Sequence, residues 1–316
     1  MALEHARLVS AIHRLTGVFL EDDKLYLLDS RLGELIKKHG LRNWDEAATK
    51  LEAGTDQEFI DSLVDRITTH ETRFFRDESI FDALIMQIVP EWLKRNGLSV
   101  DGIFGNTMNI WASDAGTTIS SSMTPAGGVA GSGLRIWCAA CSTGQEPYSI
   151  AMMLTEKMPR VAAITNILAS DISQDTLRRA REGAYTRFEI DRGLPETYRK
   201  RYFTAEGDNF RISESMRKAI TFRQVNLISD PFPTGQDIIF CRNVSIYFTD
   251  EQKKVLYRRL KEALKPDGIL VLGSAESLSG YLENFVIREF GLARYYEVNA
   301  SGVFIFKRKT TDVVTG

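Results

Sequence analysis

No apolar run in this sequence of 316 residues approaches the roughly 18 residues that a membrane-crossing helix requires. The N-terminus, with Glu4 and His5, also lacks the profile of a signal peptide. A cytoplasmic protein with no direct membrane insertion is therefore expected. Cysteine is scarce: Cys138, Cys141 and Cys241 are too few, and odd in number, for a disulfide framework, so reduced thiols are expected. Four scattered histidines do not complete a familiar zinc spacing with Cys241, and no metal is expected. The formal net charge of -2 gives no overall basic field, which argues against nucleic acid as a partner. The G-x-G-x-x-G spacing of a dinucleotide-binding turn is missing as well.

What is present centres on Leu134 to Met153 (LRIWCAACSTGQEPYSIAMM). A short apolar run passes through small and polar residues into an apolar-periodic segment after Pro147, which reads as strand, tight loop and helix. In open α/β sheets such a loop lies at the carboxyl end of a strand, where ligands bind, and small residues let a ligand approach the backbone. Glu146 in this loop would repel a pyrophosphate and attract an ammonium or sulfonium. Further on, near the roughly 20-residue offset of the ribose-binding acid in dinucleotide folds, a second apolar run ends in Asp171 (ILASD, 167–171). A ligand with a ribose and a cationic amino-acid end but no phosphate is S-adenosylmethionine.

The N-terminal part, 1–96, reads as helices. One carries Leu25, Leu28, Leu32, Leu35 and Ile36 on one face, and another carries Phe59, Ile60, Leu63 and Ile67. A third, with Asp77 as its cap and Ile80, Phe81, Leu84, Ile85 and Ile88 buried, is expected to kink or end at Pro90. Between the second and third lies TTHETRFFRD (68–77), a polar connection anchored by Phe74 and Phe75. Residues 97–133 turn to Gly, Ser, Thr and Ala, the composition of a flexible linker or insertion. From 134 to about 310, strands alternate with helices, as in a mostly parallel sheet with an antiparallel edge. A hairpin interrupts it at about 184–217, and a second is expected from Arg294–Val298 and 303–307 around Asn299–Gly302. Leu177 should face inward, with Arg178, Arg179 and Arg181 outward.

Six separated motifs, in order, closely resemble the chemotaxis protein-glutamate O-methyltransferases, the CheR family. They are TTHETRFFRD at 68–77, WCAACSTGQEPYSIAM at 137–152, ASD at 169–171, VNL at 225–227, FCRNVSIYF at 240–248 and LKPDGILVLGSAESL at 264–278. The resemblance implies an α/β fold: a Rossmann-like class I S-adenosylmethionine-dependent methyltransferase domain with a small inserted antiparallel β-subdomain, preceded by an all-helical N-terminal domain. It implies methyl transfer to glutamate side chains on the cytoplasmic domain of a chemoreceptor, with S-adenosylhomocysteine as product. Position by position, it implies cofactor contacts at His70, Thr72, Arg76, Glu146, Asp171, Asn226, Leu227, Arg242 and Asn243. Arg76 and Tyr247 would face the transferred methyl, Arg76 orienting a carboxylate and Tyr247 positioning the acceptor.

The sequence departs from the family at His70, where Asn is usual, in the length of 97–133, and in a short turn between Phe203 and Phe210. The resemblance implies a longer turn there in members whose β-subdomain grips a C-terminal pentapeptide tether of the receptor. Tether-independent docking near Arg76, Arg178, Arg179 and Arg181 is therefore expected here. Two other readings stay open on residues alone. Cys138 and Cys141 after a strand look like a thioredoxin-type redox pair. A catalytically silent S-adenosylmethionine-binding signalling module is the other.

Overall fold

The computed structural model describes residues 2–20, 25–98, 133–281 and 284–299. Four helices open the chain: α1 (Ala2–Thr16), α2 (Tyr26–Lys38), α3 (Trp44–Ala53) and α4 (Gln57–Ile67). Asn43 and Asp56 cap α3 and α4 through side-chain bonds to the amides of Glu46 and Phe59. The inward faces of these helices, with Leu8, Ile12, Leu28, Leu32 and Phe59 almost fully buried, form an apolar cluster of their own.

The next helical stretch behaves differently. α5 (Glu78–Ala83) runs through a π-turn at Leu84–Ile88 into α6 (Val89–Arg95), and both helices pack into the core of the sheet. The break between the two cores thus falls between Ile67 and Phe74, ahead of residue 96. Pro90 does not end the helical stretch, which continues as α6. It follows directly on the wider turn, where the ordinary hydrogen-bond register is already changed and a missing N–H is more easily accommodated. Asp77 stands at the head of α5 but makes no capping bond.

Among the described residues the sheet has seven strands, in the order β6-β2-β1-β7-β8-β10-β9. β1 (Arg135–Ala139), β2 (Asn166–Asp171), β6 (Ile220–Gln224), β7 (Gln236–Cys241) and β8 (Leu264–Leu272) are parallel. β9 (Phe285–Phe290) and β10 (Ala293–Val298) are antiparallel at the edge. β1 and β7 are buried along nearly their whole length, as strands covered on both faces must be. Helices α7 (Gln145–Lys157), α8 (Pro159–Ala162) and α9 (Gln174–Glu182) follow β1 and β2.

Between α9 and β6 lies the insertion. β3 (Ala184–Thr186), β4 (Phe203–Glu206) and β5 (Asn209–Ile212) form an antiparallel sheet in the order β3-β5-β4. The hairpin expected there is β4–β5; the third strand and the helices α10 (Arg187–Asp191), α11 (Glu196–Tyr202) and α12 (Glu214–Lys218) are additional. Helix α13 (Asp250–Ala263) begins with a capping box between Thr249 and Gln252 and covers the other face of the sheet.

The C-terminal hairpin differs from expectation. Arg294–Val298 does belong to a hairpin strand, but its hairpin partner is β9, which precedes it, and its other edge is taken by β8. The polar turn signal at Asn299–Gly302 outweighs Gly291–Leu292 when local composition alone is read. Residues 303–307, and all but the ends of 97–133, lie outside the described residues.

Candidate functional site

The strand order reverses beside β1, so the crevice at the carboxyl ends of β1 and β7 is where an open α/β sheet binds its ligand. A cavity is found there. The segments after β1, β2, β6 and β7 contribute Cys141, Ser142, Asp171, Asn226, Leu227, Arg242 and Asn243, and α7 contributes Glu146. The connection 68–77 closes it with His70, Thr72, Arg73 and Arg76. Each of the expected cofactor residues, His70, Thr72, Arg76, Glu146, Asp171, Asn226, Leu227, Arg242 and Asn243, lines this one cavity, and so does Tyr247.

The loops are held in unusual backbone conformations. Among the described residues, those other than glycine with positive φ are Phe75, Asp77, Ala140, Ser142 and Asn243, all in segments at the cavity or beside it. Strain of this kind persists only where surrounding contacts impose it, and the contacts are visible. The amide of Cys141 bonds to the Ser170 carbonyl at 2.8 Å, and the amide of Ser142 bonds to Asp171 Oδ2 at 2.8 Å. Phe74 packs edge-on to Tyr185 and Phe203, and Phe75 to Phe81. The Phe75 amide donates to Ser149 Oγ of α7 at 3.0 Å, so the connection 68–77 is bolted to the sheet domain by both its aromatics and its backbone.

Asp171 is buried at the end of β2, its Oδ1 taking the Ser173 amide at 3.0 Å. It does not itself cap α9; Ser173 does, by accepting from Thr176. Burial raises the pKa of Asp171, and the two amide donors pull the other way. Each oxygen has accepted one bond and keeps acceptor capacity, which suits a diol.

Glu146 departs from the role the loop suggested. Its Oε2 lies 2.8 Å from Arg242 Nη1, and Arg242 also reaches Asp77 at 2.6 Å and the Arg76 carbonyl at 2.8 Å. The attraction that Glu146 was expected to exert on a cationic ligand is thus largely answered from within the protein. Burial raises the Glu146 pKa, opposed by Arg242. The same ion pair explains why Asp77 does not cap α5. Arg242 Nε is buried without a hydrogen-bond partner, a donor left over in a residue that lines the cavity.

His70 turns its Nε2 towards α4, 2.9 Å from the Asp65 carbonyl, 3.3 Å from Asp65 Oδ1 and 3.2 Å from Thr68 Oγ1. The Thr68 hydroxyl spends its proton on the Val64 carbonyl, so Nε2 faces only acceptors and must carry a hydrogen. Nδ1 is left as the ring nitrogen for a ligand. Burial alone would lower the His70 pKa, but the Asp65 bonds and the field of Asp171 outweigh it and raise the value.

Arg76 donates only to the Glu71 carbonyl, at 3.1 Å, and neither it nor Arg73 has a carboxylate within ion-pair distance among the described residues. The other arginines expected to dock a partner are engaged. Arg178 pairs with Asp175 and Glu182, Arg179 pairs with Glu189, and Arg181 donates to the Phe222 carbonyl. Asn226 uses its amide to hold Leu15 and Ile228, leaving part of its bonding capacity open.

Sequence reasoning missed the end of α1. Thr16 and Val18 line the cavity, and the Phe19 amide bonds to the Tyr247 carbonyl at 2.9 Å. Gly17 permits this approach: its φ is +75°, and a Cβ there would stand 2.7 Å from Ile228 and 2.8 Å from Phe248. The one local signal, a glycine directly after the helix, reads equally well as an ordinary helix stop.

Cys138 lies within β1 and Cys141 in the loop, while α7 begins only at Gln145, so neither thiol sits at a helix N-terminus. Both are buried and free, and burial pushes their pKa values well up, the opposite of a redox-active thiolate. Among the described residues no His/Cys/Asp/Glu cluster suits a metal, and no helix is long and apolar enough to cross a membrane.

The donor set, with the buried carboxylate of Asp171 and the guanidinium of Arg76 on one cavity, is compatible with a nucleoside ligand. Comparison with known proteins agrees. Residues 4–68 match the all-alpha domain of the CheR methyltransferases, and residues 106–290 match their SAM-binding domain. A chemotaxis protein methyltransferase of Borreliella burgdorferi is 34% identical over 88% of this chain and 89% of its own. Chemotaxis protein methyltransferase 1 of Pseudomonas aeruginosa is 32% identical over 87% of this chain and 90% of its own. The chain therefore belongs to the CheR methyltransferase family, an α/β S-adenosylmethionine-dependent methyltransferase domain preceded by an all-helical one.

Proposed function

We propose that this protein methylates glutamate side chains on the cytoplasmic helices of a chemoreceptor, in the cytoplasm, as a step of chemotactic adaptation. The observation that carries the reading is Arg76: a guanidinium with no carboxylate partner among the described residues, on the wall of a cavity that also holds Asp171, Asn243 and Tyr247. The names of its relatives, chemotaxis protein methyltransferases, support the same direction.

S-adenosylmethionine, when bound, supplies a methyl group on a sulfonium. Asp171 would hold the ribose, with Asn226, Leu227, Arg242, Asn243, Thr72, Glu146 and His70 completing the enclosure. A glutamate carboxylate, with a pKa of about 4.3, is already ionised at pH 7, so no strong general base is needed. Arg76 orients a carboxylate through its rigid fork, and Tyr247 positions the acceptor oxygen. Alignment and exclusion of water are then the main contributions, and proximity alone supplies up to about 7 to 11 kcal/mol in favourable systems.

Docking is direct rather than through a receptor tail. The support is the short β4–β5 hairpin, whose turn at Gly207–Asp208 leaves little room for side-chain pockets around the open edge of β4. With Arg178 and Arg179 in ion pairs and Arg181 bonded to the Phe222 carbonyl, Arg73 and Arg76 on the cavity wall are the more available of these cations to meet an acidic helix. Transfer of labelled methyl to receptor fragments tests this. Fragments with and without the C-terminal tail should be methylated at similar rates, and added salt should slow both. A large gap between the fragments, or binding of the isolated tail peptide, would sink tether independence. Cofactor binding with no transfer to any fragment would point instead to a silent signalling module.

A further inference from the structure

We propose that Glu276 is a positioning residue for methyl transfer: it holds the turn from Asn243 to Tyr247 in the shape that presents these side chains to the cavity. This rests on the site reading given above. Glu276 lies beyond the end of β8, outside the residues that line the cavity, and is 8% exposed. Its carboxylate is nonetheless saturated. Oε1 accepts from the amides of Val244 at 3.1 Å and Ser245 at 2.8 Å and from Ser245 Oγ at 2.7 Å. Oε2 accepts from the amides of Asn243 at 2.7 Å and Gly273 at 2.7 Å.

Successive amides at 243, 244 and 245 form a concavity of the kind that binds anions, and here the anion is the protein's own. The arrangement depends on Asn243 adopting φ +59°, a conformation costly for a side-chain-bearing residue unless its surroundings impose it. Glu276 imposes it. The same carboxylate also joins the ends of the neighbouring strands β7 and β8 through Asn243 and Gly273. Closeness there is independent evidence of a tight fit: a Cβ on Gly273 would lie 2.7 Å from Asn243 Nδ2 and 2.8 Å from Glu276 Oε2. Ser245 opens the short helical turn Ser245–Tyr247, so the carboxylate sits at the start of the turn that ends in Tyr247. Either oxygen meets two or more donors. A glutamine, whose NH2 must face some of them, therefore cannot replace it without unmatched N–H groups.

The test combines S-adenosylhomocysteine titration by calorimetry with a double-mutant cycle on methyl transfer. Glu276→Gln should bind S-adenosylhomocysteine roughly tenfold more weakly, because Asn243 is displaced. Its kcat should fall by about a hundredfold, the effect of a misplacement near 1 Å, with a smaller change in KM for the receptor. In a Tyr247→Phe background the same change should cost only a few-fold, since the phenol it positions is gone. Parental S-adenosylhomocysteine affinity in Glu276→Gln, or an equal kcat loss in both backgrounds, would overturn the proposal. Should Glu276→Gln fail to fold, Gly273→Ala presses on the same turn with the charge intact. Its thermal midpoint should fall, since the added Cβ must displace Asn243 or Glu276, and the protein that remains folded should lose kcat; parental kcat would overturn the idea. Parent protein that binds no S-adenosylhomocysteine would instead refute the site reading itself.

Discussion

Arg242 stands 2.8 Å from Glu146, tying the end of β7 to the first turn of α7, and the same guanidinium reaches across to Asp77 at 2.6 Å. The side chain of Arg242 is 3% exposed and that of Glu146 13%, so the pair is shielded from water and salt. Removing one partner of a buried pair leaves an uncompensated charge and costs about 3 to 5 kcal/mol. Arg242→Ala should lose stability of this order in urea unfolding, and Arg242→Ala with Glu146→Gln should recover part of it. Equal stability of the single and double variants would show that the pair is not coupled.

Asp171→Ala should weaken S-adenosylhomocysteine binding by the worth of a charged hydrogen bond, roughly 1.5 to 3 kcal/mol. It should also loosen the loop after β1, because Ser142 loses its acceptor. Calorimetry reads the first effect and amide exchange at Ser142 the second. Undiminished binding by the variant would remove Asp171 from the ribose assignment.

The His70–Asp65 contact, together with Ser173 Oγ donating to Asp65 Oδ1 at 2.8 Å, joins α4 to the start of α9 and should depend on pH. His70 has a raised pKa, so its contribution is full below the unfolded value of about 6.5 and is lost as pH rises through the folded value. Asp65 has a lowered pKa, through its bond to His70, so its contribution is lost as pH falls through its own folded value. The loss of thermal midpoint in Asp65→Asn should therefore be larger at pH 6 than at pH 9. A penalty that does not change between those values would mean the contact is not ionic.

Replacement of Cys138 and Cys141 together by Ala should leave methyl transfer largely intact, since the loop uses these residues for their size. In the folded protein none of the three thiols should react promptly with a thiol-specific chromogenic disulfide, because all are buried. A thiol that reacts at once, or activity lost on oxidation only when both cysteines are present, would restore a redox role.

Local sequence carried a good deal of this protein. Apolar periodicity marked α2 and α4, short apolar runs marked β1 and β2, and the small-residue loop with Asp171 further along pointed to a nucleoside ligand. These features depend on neighbours a few residues apart, which composition and spacing record. Tertiary structure decided the rest. That α5 and α6 join the core of the sheet, that β10 pairs backward with β9, and that Thr16 and Val18 wall the cavity are outcomes of packing between distant segments. The surroundings of Glu146 are set the same way: its charge is visible in the chain, but the partner that meets it, Arg242, arrives from a strand end far along the sequence. Glu276 is the extreme case: it stands within the motif at 264–278, but its place in the site comes only from the backbone amides that folding turns towards it.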